Sequence, residues 1–136
     1  MLLLNASYYA PFWTDDAYIT LRYAWRIWHE GEAAFNPGER LEGLTNLGWA
    51  LLLAPFSDGD ALEAGRILGR LCGVGTVLLL ADWCRRQGLG LVAMGAALAA
   101  LVLPAWAPSW TMLGLETAGV MFLVTLAWTR HGVDTD

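Results

Sequence analysis

Apolar residues in this chain gather in long blocks threaded with glycine and alanine, the pattern of membrane-crossing helices, which need about 20 mostly apolar residues to span ~30 Å of hydrocarbon. Residues 89–106 carry no charge, and residues 112–129 carry Glu116 near their start. A third stretch, 62–84, has Glu63, Arg66 and Arg70 in its first half and is apolar after them. Residues 44–56 form a shorter block, too short to span unaided, and read as a re-entrant or interfacial helix. Residues 1–13 begin apolar and end in Tyr8, Tyr9, Phe12 and Trp13, like the outer end of a first span whose start is cut away. With 62–84, 89–106 and 112–129 as crossings, Arg85, Arg86 and Arg130 fall on one side, which the positive-inside rule makes cytoplasmic. Trp83 and Trp128 then mark the inner interface, and Trp106 and Trp110 the outer one. Residues 14–43 become an outer loop, with Glu116 facing the same side.

That loop is patterned. Thr14-Asp15-Asp16 has the capping and first-turn acids of a helix running to about Glu30. On a 3.6-residue wheel Tyr18, Leu21, Trp25 and Trp28 share one face, and Asp15, Arg22, Arg26 and Glu30 the opposite one. Such a helix suits the membrane surface. Pro37-Gly38 fits the centre of a type II turn. Thr45-Asn46 are placed to cap a short helix beginning near Leu47. The expected fold is thus all-α: a polytopic helical bundle with an amphipathic juxtamembrane helix in the first outer loop.

Composition supports a membrane setting and removes other classes. The 136 residues are 57% hydrophobic and 15% charged, and mean hydropathy is +0.45. Net charge is −5, lysine is absent and the eight arginines are scattered, so no basic surface exists to grip nucleic acid. Cys72 and Cys84 are too few for a disulfide framework or a zinc site and read as small packing residues. The glycines and alanines of 88–105 read as close helix packing.

Several side chains could carry chemistry. Asp15 and Asp16 are either a carboxylate base for a hydroxyl plus its support, or simply helix-start acids. They stand about 100° apart on the wheel and cannot point the same way. Glu116, in the outer turn of a span, is costly unless paired or wet, which favours a functional role. Arg22, Arg26, Arg66 and Arg70 could hold a phosphate, although pairing with nearby acids or lipid headgroups explains them more simply. His29 and His131 read as surface residues.

Three segments carry a family likeness: Asp15-Asp16-Ala17-Tyr18-Ile19-Thr20-Leu21-Arg22-Tyr23-Ala24, Phe35-Asn36-Pro37-Gly38-Glu39-Arg40-Leu41-Glu42-Gly43, and Gly114-Leu115-Glu116-Thr117. Together, and in this order, they resemble the N-terminal part of GT-C-type membrane glycosyltransferases, nearest the bacterial protein-mannosyltransferase-like and arabinofuranosyltransferase-like branch. The resemblance implies a polyprenyl-phosphate sugar as donor substrate on the outer leaflet. It implies transfer with inversion to an acceptor hydroxyl on a glycan, lipid or protein. The first-loop base would be Asp15, with Asp16 in support. Glu42 would contact donor or a divalent cation, and Glu116 would be a second outer-loop acid. Arg66 or Arg70 would serve as the cation for the departing phosphate. The expected home is the bacterial plasma membrane, active face outward, with membrane lipid and the lipid-linked sugar as partners. The family has more spans than this chain offers, so the sequence reads as part of a longer enzyme, inactive alone. Competing readings are a small non-catalytic membrane subunit and a transporter piece with Glu116 as a proton relay.

Overall fold

The computed structural model describes residues 15–38, 44–103 and 113–131; among them every regular element is helical and no strand occurs. In order these are α1 (Asp15–Glu30), α2 (Leu47–Leu53) continued by a 3-10 turn (Ala54–Phe56), α3 (Ala61–Arg86), α4 (Leu91–Val102) and α5 (Thr117–His131). The cut-away first span expected at 1–13, and Trp106, Trp110 and Glu42, lie outside the described residues.

Helix α1 begins and ends where its first-turn acids and turn signals predict, and Gly31 beyond it takes φ +70. Its packing face differs from the expected one. Ala17, Thr20, Tyr23 and Ala24 are buried, while Tyr18, Trp25 and Trp28 remain about half exposed. The small side chains let α1 approach α2 closely, so the buried face is rotated by about a third of a turn from the aromatic stripe. Arg26, expected on the outer polar face, is also buried, its charge met by Glu30 at 2.5 Å and Glu32 at 3.1 Å. Tyr23, Ala24, Trp49, Ala50, Leu53 and Ala54 make the core, closed by Leu21, Ile27, Phe35 and Leu68. The turn at Pro37-Gly38 is present, with Gly38 at φ +77 as a type II turn requires.

Helix α2 is short because Pro55, within the 3-10 turn, has no N–H to continue the ladder. Asn46 stands at the N-cap position, but its side chain makes no cap bond. The expected cap is therefore absent, and the amide is used elsewhere, as described below.

Helix α3 is defined at both ends. The Asp60 carboxylate accepts the Glu63 N–H at 3.0 Å, capping the first turn. At the other end Gly88 takes φ +69, with Gly88 N–H bonded to the Arg85 carbonyl and Leu89 N–H to the Cys84 carbonyl, a Schellman closure. Its 26 residues reach about 39 Å. It is the one described helix long and apolar enough to cross a membrane.

Helices α3 and α5 run parallel. Gly65 meets Gly114, Gly75 meets Phe122, and Trp83 meets Trp128 at 5.2 Å between ring centres. Gly65, Gly69 and Gly73 recur every fourth residue on α3, and the first two are buried. Small residues at this spacing let helices approach closely. A Cβ on Gly75 would come within 2.7 Å of the Phe122 ring. Gly75→Leu should therefore cost about 1–3 kcal/mol by overpacking. Thermal unfolding of wild type and variant in detergent micelles checks this, and an unshifted midpoint would refute the close packing.

Two expected spans are shorter as helices than their apolar blocks. Helix α4 has 12 residues and α5 has 15, or about 18 and 22 Å, less than a full crossing. The block 89–106 is described as helix only to Val102. The block 112–129 becomes helical only at Thr117, because Gly114 sits at φ +72 and its carbonyl accepts a bond from Trp49. No residue of α4 is buried, and Gly88, Gly90 and Gly95 face open space. The glycine and alanine pattern of 88–105 is thus not used for close packing among the described residues. That role belongs to α3 and α5.

Candidate functional site

Thr20 follows Asp16 by one helical turn, and its hydroxyl donates back to the Asp16 carbonyl at 3.1 Å. The Thr20 oxygen can still accept, and it receives the Asn46 side-chain amide at 2.9 Å. The same amide nitrogen donates to Glu116 Oε2 at 2.8 Å. An amide NH2 has two hydrogens, so both bonds can form at once. Asn46 thereby ties α1 to a carboxylate 70 positions further along the chain.

The backbone leading to Glu116 is fixed as well. The Trp49 indole N–H donates to the Gly114 carbonyl at 2.8 Å in a buried contact. The positive φ of Gly114 then turns the chain into α5, leaving Glu116 just ahead of the first helical turn. Glu116 is half-buried at this position.

These contacts frame a cleft of about 160 Å³ lined by Asp16, Thr20, Thr45, Asn46, Leu115 and Glu116. Among the described residues, Asp16 and Glu116 are its two acids. Both helix-start carboxylates are exposed, but Asp16 lines the cleft and Asp15 does not. Glu42 lies outside the described residues. Arg66 and Arg70 line neither this cleft nor the groove beside it. Both face the one Glu63 carboxylate, at 3.6 and 3.2 Å, and so share a single negative charge within α3. Chemically, the cleft offers an exposed carboxylate able to accept a proton and a second one fixed by a neutral amide. Among the described residues no group of three or more His, Cys, Asp or Glu side chains is placed to hold a metal ion, and no step below depends on one.

A larger groove of about 570 Å³ adjoins the cleft, with Ile19 on the wall of both. It runs along α1 to the start of α3, past Tyr18, Arg22, Trp25, Phe35 and Leu62.

His29 braces this end of the molecule. One ring nitrogen faces the Trp25 carbonyl at 2.9 Å and the other Asp58 Oδ1 at 2.6 Å, and the ring stacks on Trp25. The Trp25 carbonyl, then Asp58, raise its pKa above the ordinary 6.5. A raised folded pKa stabilises fully below the unfolded value and loses its effect as pH rises through the folded one. The stability gap between wild type and His29→Gln should therefore be widest below pH 6.5 and narrow as pH rises above it. Melting temperatures on either side of that pH measure it, and a gap that grew with pH would show the imidazolium bridge to be absent.

Thr20 and Asn46 line the cleft and Trp49 anchors Gly114 beside it, and none of the three was marked as a functional residue by sequence pattern. Asn46 has the local signature of a helix cap, while its partners lie 26 and 70 positions away. No family model matches the chain, and no curated protein or solved structure does so either.

Proposed function

We propose that the chain forms the acceptor-activating part of a membrane glycosyltransferase that uses a polyprenyl-phosphate sugar on the outer leaflet. The observation that carries this reading is the meeting of Asp16 and Glu116, from the first and third segments of the family likeness, in one polar cleft. Asp16, on the cleft wall, is the better-placed base; Asp15, beside it at the helix start, supports the local field. The base takes the acceptor hydroxyl proton as the oxygen attacks the sugar C1. The bond from C1 to the phosphate oxygen breaks, and its electron pair leaves with the polyprenyl phosphate. Inversion follows from attack opposite the leaving group.

The parallel course of α3 and α5 supports a polytopic arrangement, since the chain between them must travel back along the length of α3. The arginines support the same orientation. Arg85 and Arg86 close α3 beside the Trp83–Trp128 pair, and Arg130 is near the end of α5, all remote from the cleft. Trp and Tyr favour such interfaces, and the arginine-rich side is cytoplasmic.

Two experiments test the reading. Membranes with and without the protein are given a radiolabelled polyprenyl-phosphate sugar, and label should move to an envelope acceptor only when the protein is present. Equal transfer in both would overturn the enzyme. For topology, Asp58→Cys and Gln87→Cys in a background lacking Cys72 and Cys84 are treated with a membrane-impermeant maleimide in intact cells. Residue 58 should label and residue 87 should not; the opposite pattern would put the cleft on the wrong side of the membrane.

A further inference from the structure

The groove beside the cleft has apolar walls and one fixed cation. Tyr18, Ile19, Trp25 and Leu62 supply the walls. The Arg22 guanidinium is held by the Phe35 carbonyl at 2.8 Å, by Asn36 Oδ1 at 2.9 Å, and by the Phe35 ring 4.4 Å below it. These are neutral partners. Arg26, Arg66, Arg70, Arg85 and Arg86 each face a carboxylate, but among the described residues Arg22 does not. Its orientation is set, and no carboxylate among the described residues offsets its charge. Asp60, the acid on the groove wall, has its carboxylate turned to cap α3.

The position of the groove narrows what it can hold. Its floor includes Ala61 and Leu62, the first residues of the helix that is long enough to cross a membrane. The groove therefore opens at the boundary between hydrocarbon and headgroups, where Trp and Tyr side chains favour sitting. An apolar trough at that depth suits a hydrocarbon chain, and a preset guanidinium at its side suits a phosphate.

We propose that this groove seats a single-chain prenyl phosphate, the lipid part of the donor, with Arg22 rather than Arg66 or Arg70 binding the phosphate. The inference rests on the glycosyltransferase reading in naming the donor as occupant. The shared wall at Ile19 then sets the lipid phosphate next to the cleft, and Arg22 meets the charge that remains on the phosphate when the sugar departs.

The test uses the whole chain in detergent micelles and a diazirine-bearing farnesyl phosphate as photolabel, with crosslinks mapped by mass spectrometry. Label should fall on residues 18–25 and 57–62. Unlabelled farnesyl phosphate should compete about tenfold better than farnesol. Inorganic phosphate and phosphatidylglycerol should compete poorly. Arg22→Gln should erase the preference of farnesyl phosphate over farnesol while still binding farnesol, which shows the groove intact, and Arg22→Lys should retain part of it. Crosslinks elsewhere, or an undiminished phosphate preference in Arg22→Gln, would overturn the assignment. Equal competition by inorganic phosphate would mark a bare anion site, and by phosphatidylglycerol a bulk-lipid site; either also overturns it. No sugar transfer enters this assay. A failed Arg22 result therefore leaves the transferase reading standing, and a failed transfer assay leaves the binding result standing.

Discussion

Asp16→Asn should lower sugar transfer by about 10²- to 10⁴-fold, the usual range for losing a positioned general base, while the protein folds as before. Asparagine keeps the size of aspartate and can still sit in the first turn of α1, but it cannot accept the hydroxyl proton. The Thr20 bond goes to the Asp16 backbone carbonyl and survives the change. Asp15→Asn should cost far less, because Asp15 does not line the cleft. The measurement is kcat and KM for the labelled donor in membranes matched for protein content. A loss confined to kcat is the signature of removed proton transfer, since binding groups are untouched. If Asp15→Asn proves the more damaging change, the base is Asp15, as the family likeness implies. If neither matters, neither aspartate is the base.

Trp49→Ala should be the most destabilising single change among the described residues, about 3–5 kcal/mol for a large buried aromatic. Trp49 is 6% exposed, lies against Gly119 so closely that a Cβ there would come within 2.9 Å of its ring, and donates to the Gly114 carbonyl. Truncation opens a cavity and strips a buried carbonyl of its partner at once. Trp49→Phe separates the two effects: it keeps most of the apolar contact and loses the hydrogen bond, about 1–3 kcal/mol. Because Gly114 leads directly into Glu116, both variants should also reduce transfer, Ala more than Phe. Unfolding midpoints in detergent and transfer rates measured together decide the matter. A Phe variant equal to wild type in both would show that the indole N–H anchors nothing.

Much of the local structure was legible in the residues. Helix α1 runs from its first-turn acids to Glu30 as expected, and Pro37-Gly38 forms its turn. Arg85 and Arg86 close α3, and Trp83 meets Trp128. Apart from the Trp83–Trp128 contact, which joins two helices, each of these depends on neighbours within a few positions, where propensity and capping act. Pattern failed where distant partners compete for a side chain. Asn46 was a helix cap by every local sign, yet its amide goes to Thr20 and Glu116. Arg26 was polar surface by its wheel position, yet it is buried between two glutamates. The aromatic stripe of α1 was the obvious packing face, yet Ala17, Thr20, Tyr23 and Ala24 pack instead, on a face rotated by about a third of a turn.

Order along the chain sets which helices form, where they stop, and that an apolar helix able to cross a membrane follows a patterned polar segment, since these are short-range energies of backbone and solvent. Which acid lines the cleft, which arginine keeps its charge and which glycines touch are matters of side chains meeting across helices. Those contacts depend on distances between residues tens of positions apart, and only the folded arrangement supplies them.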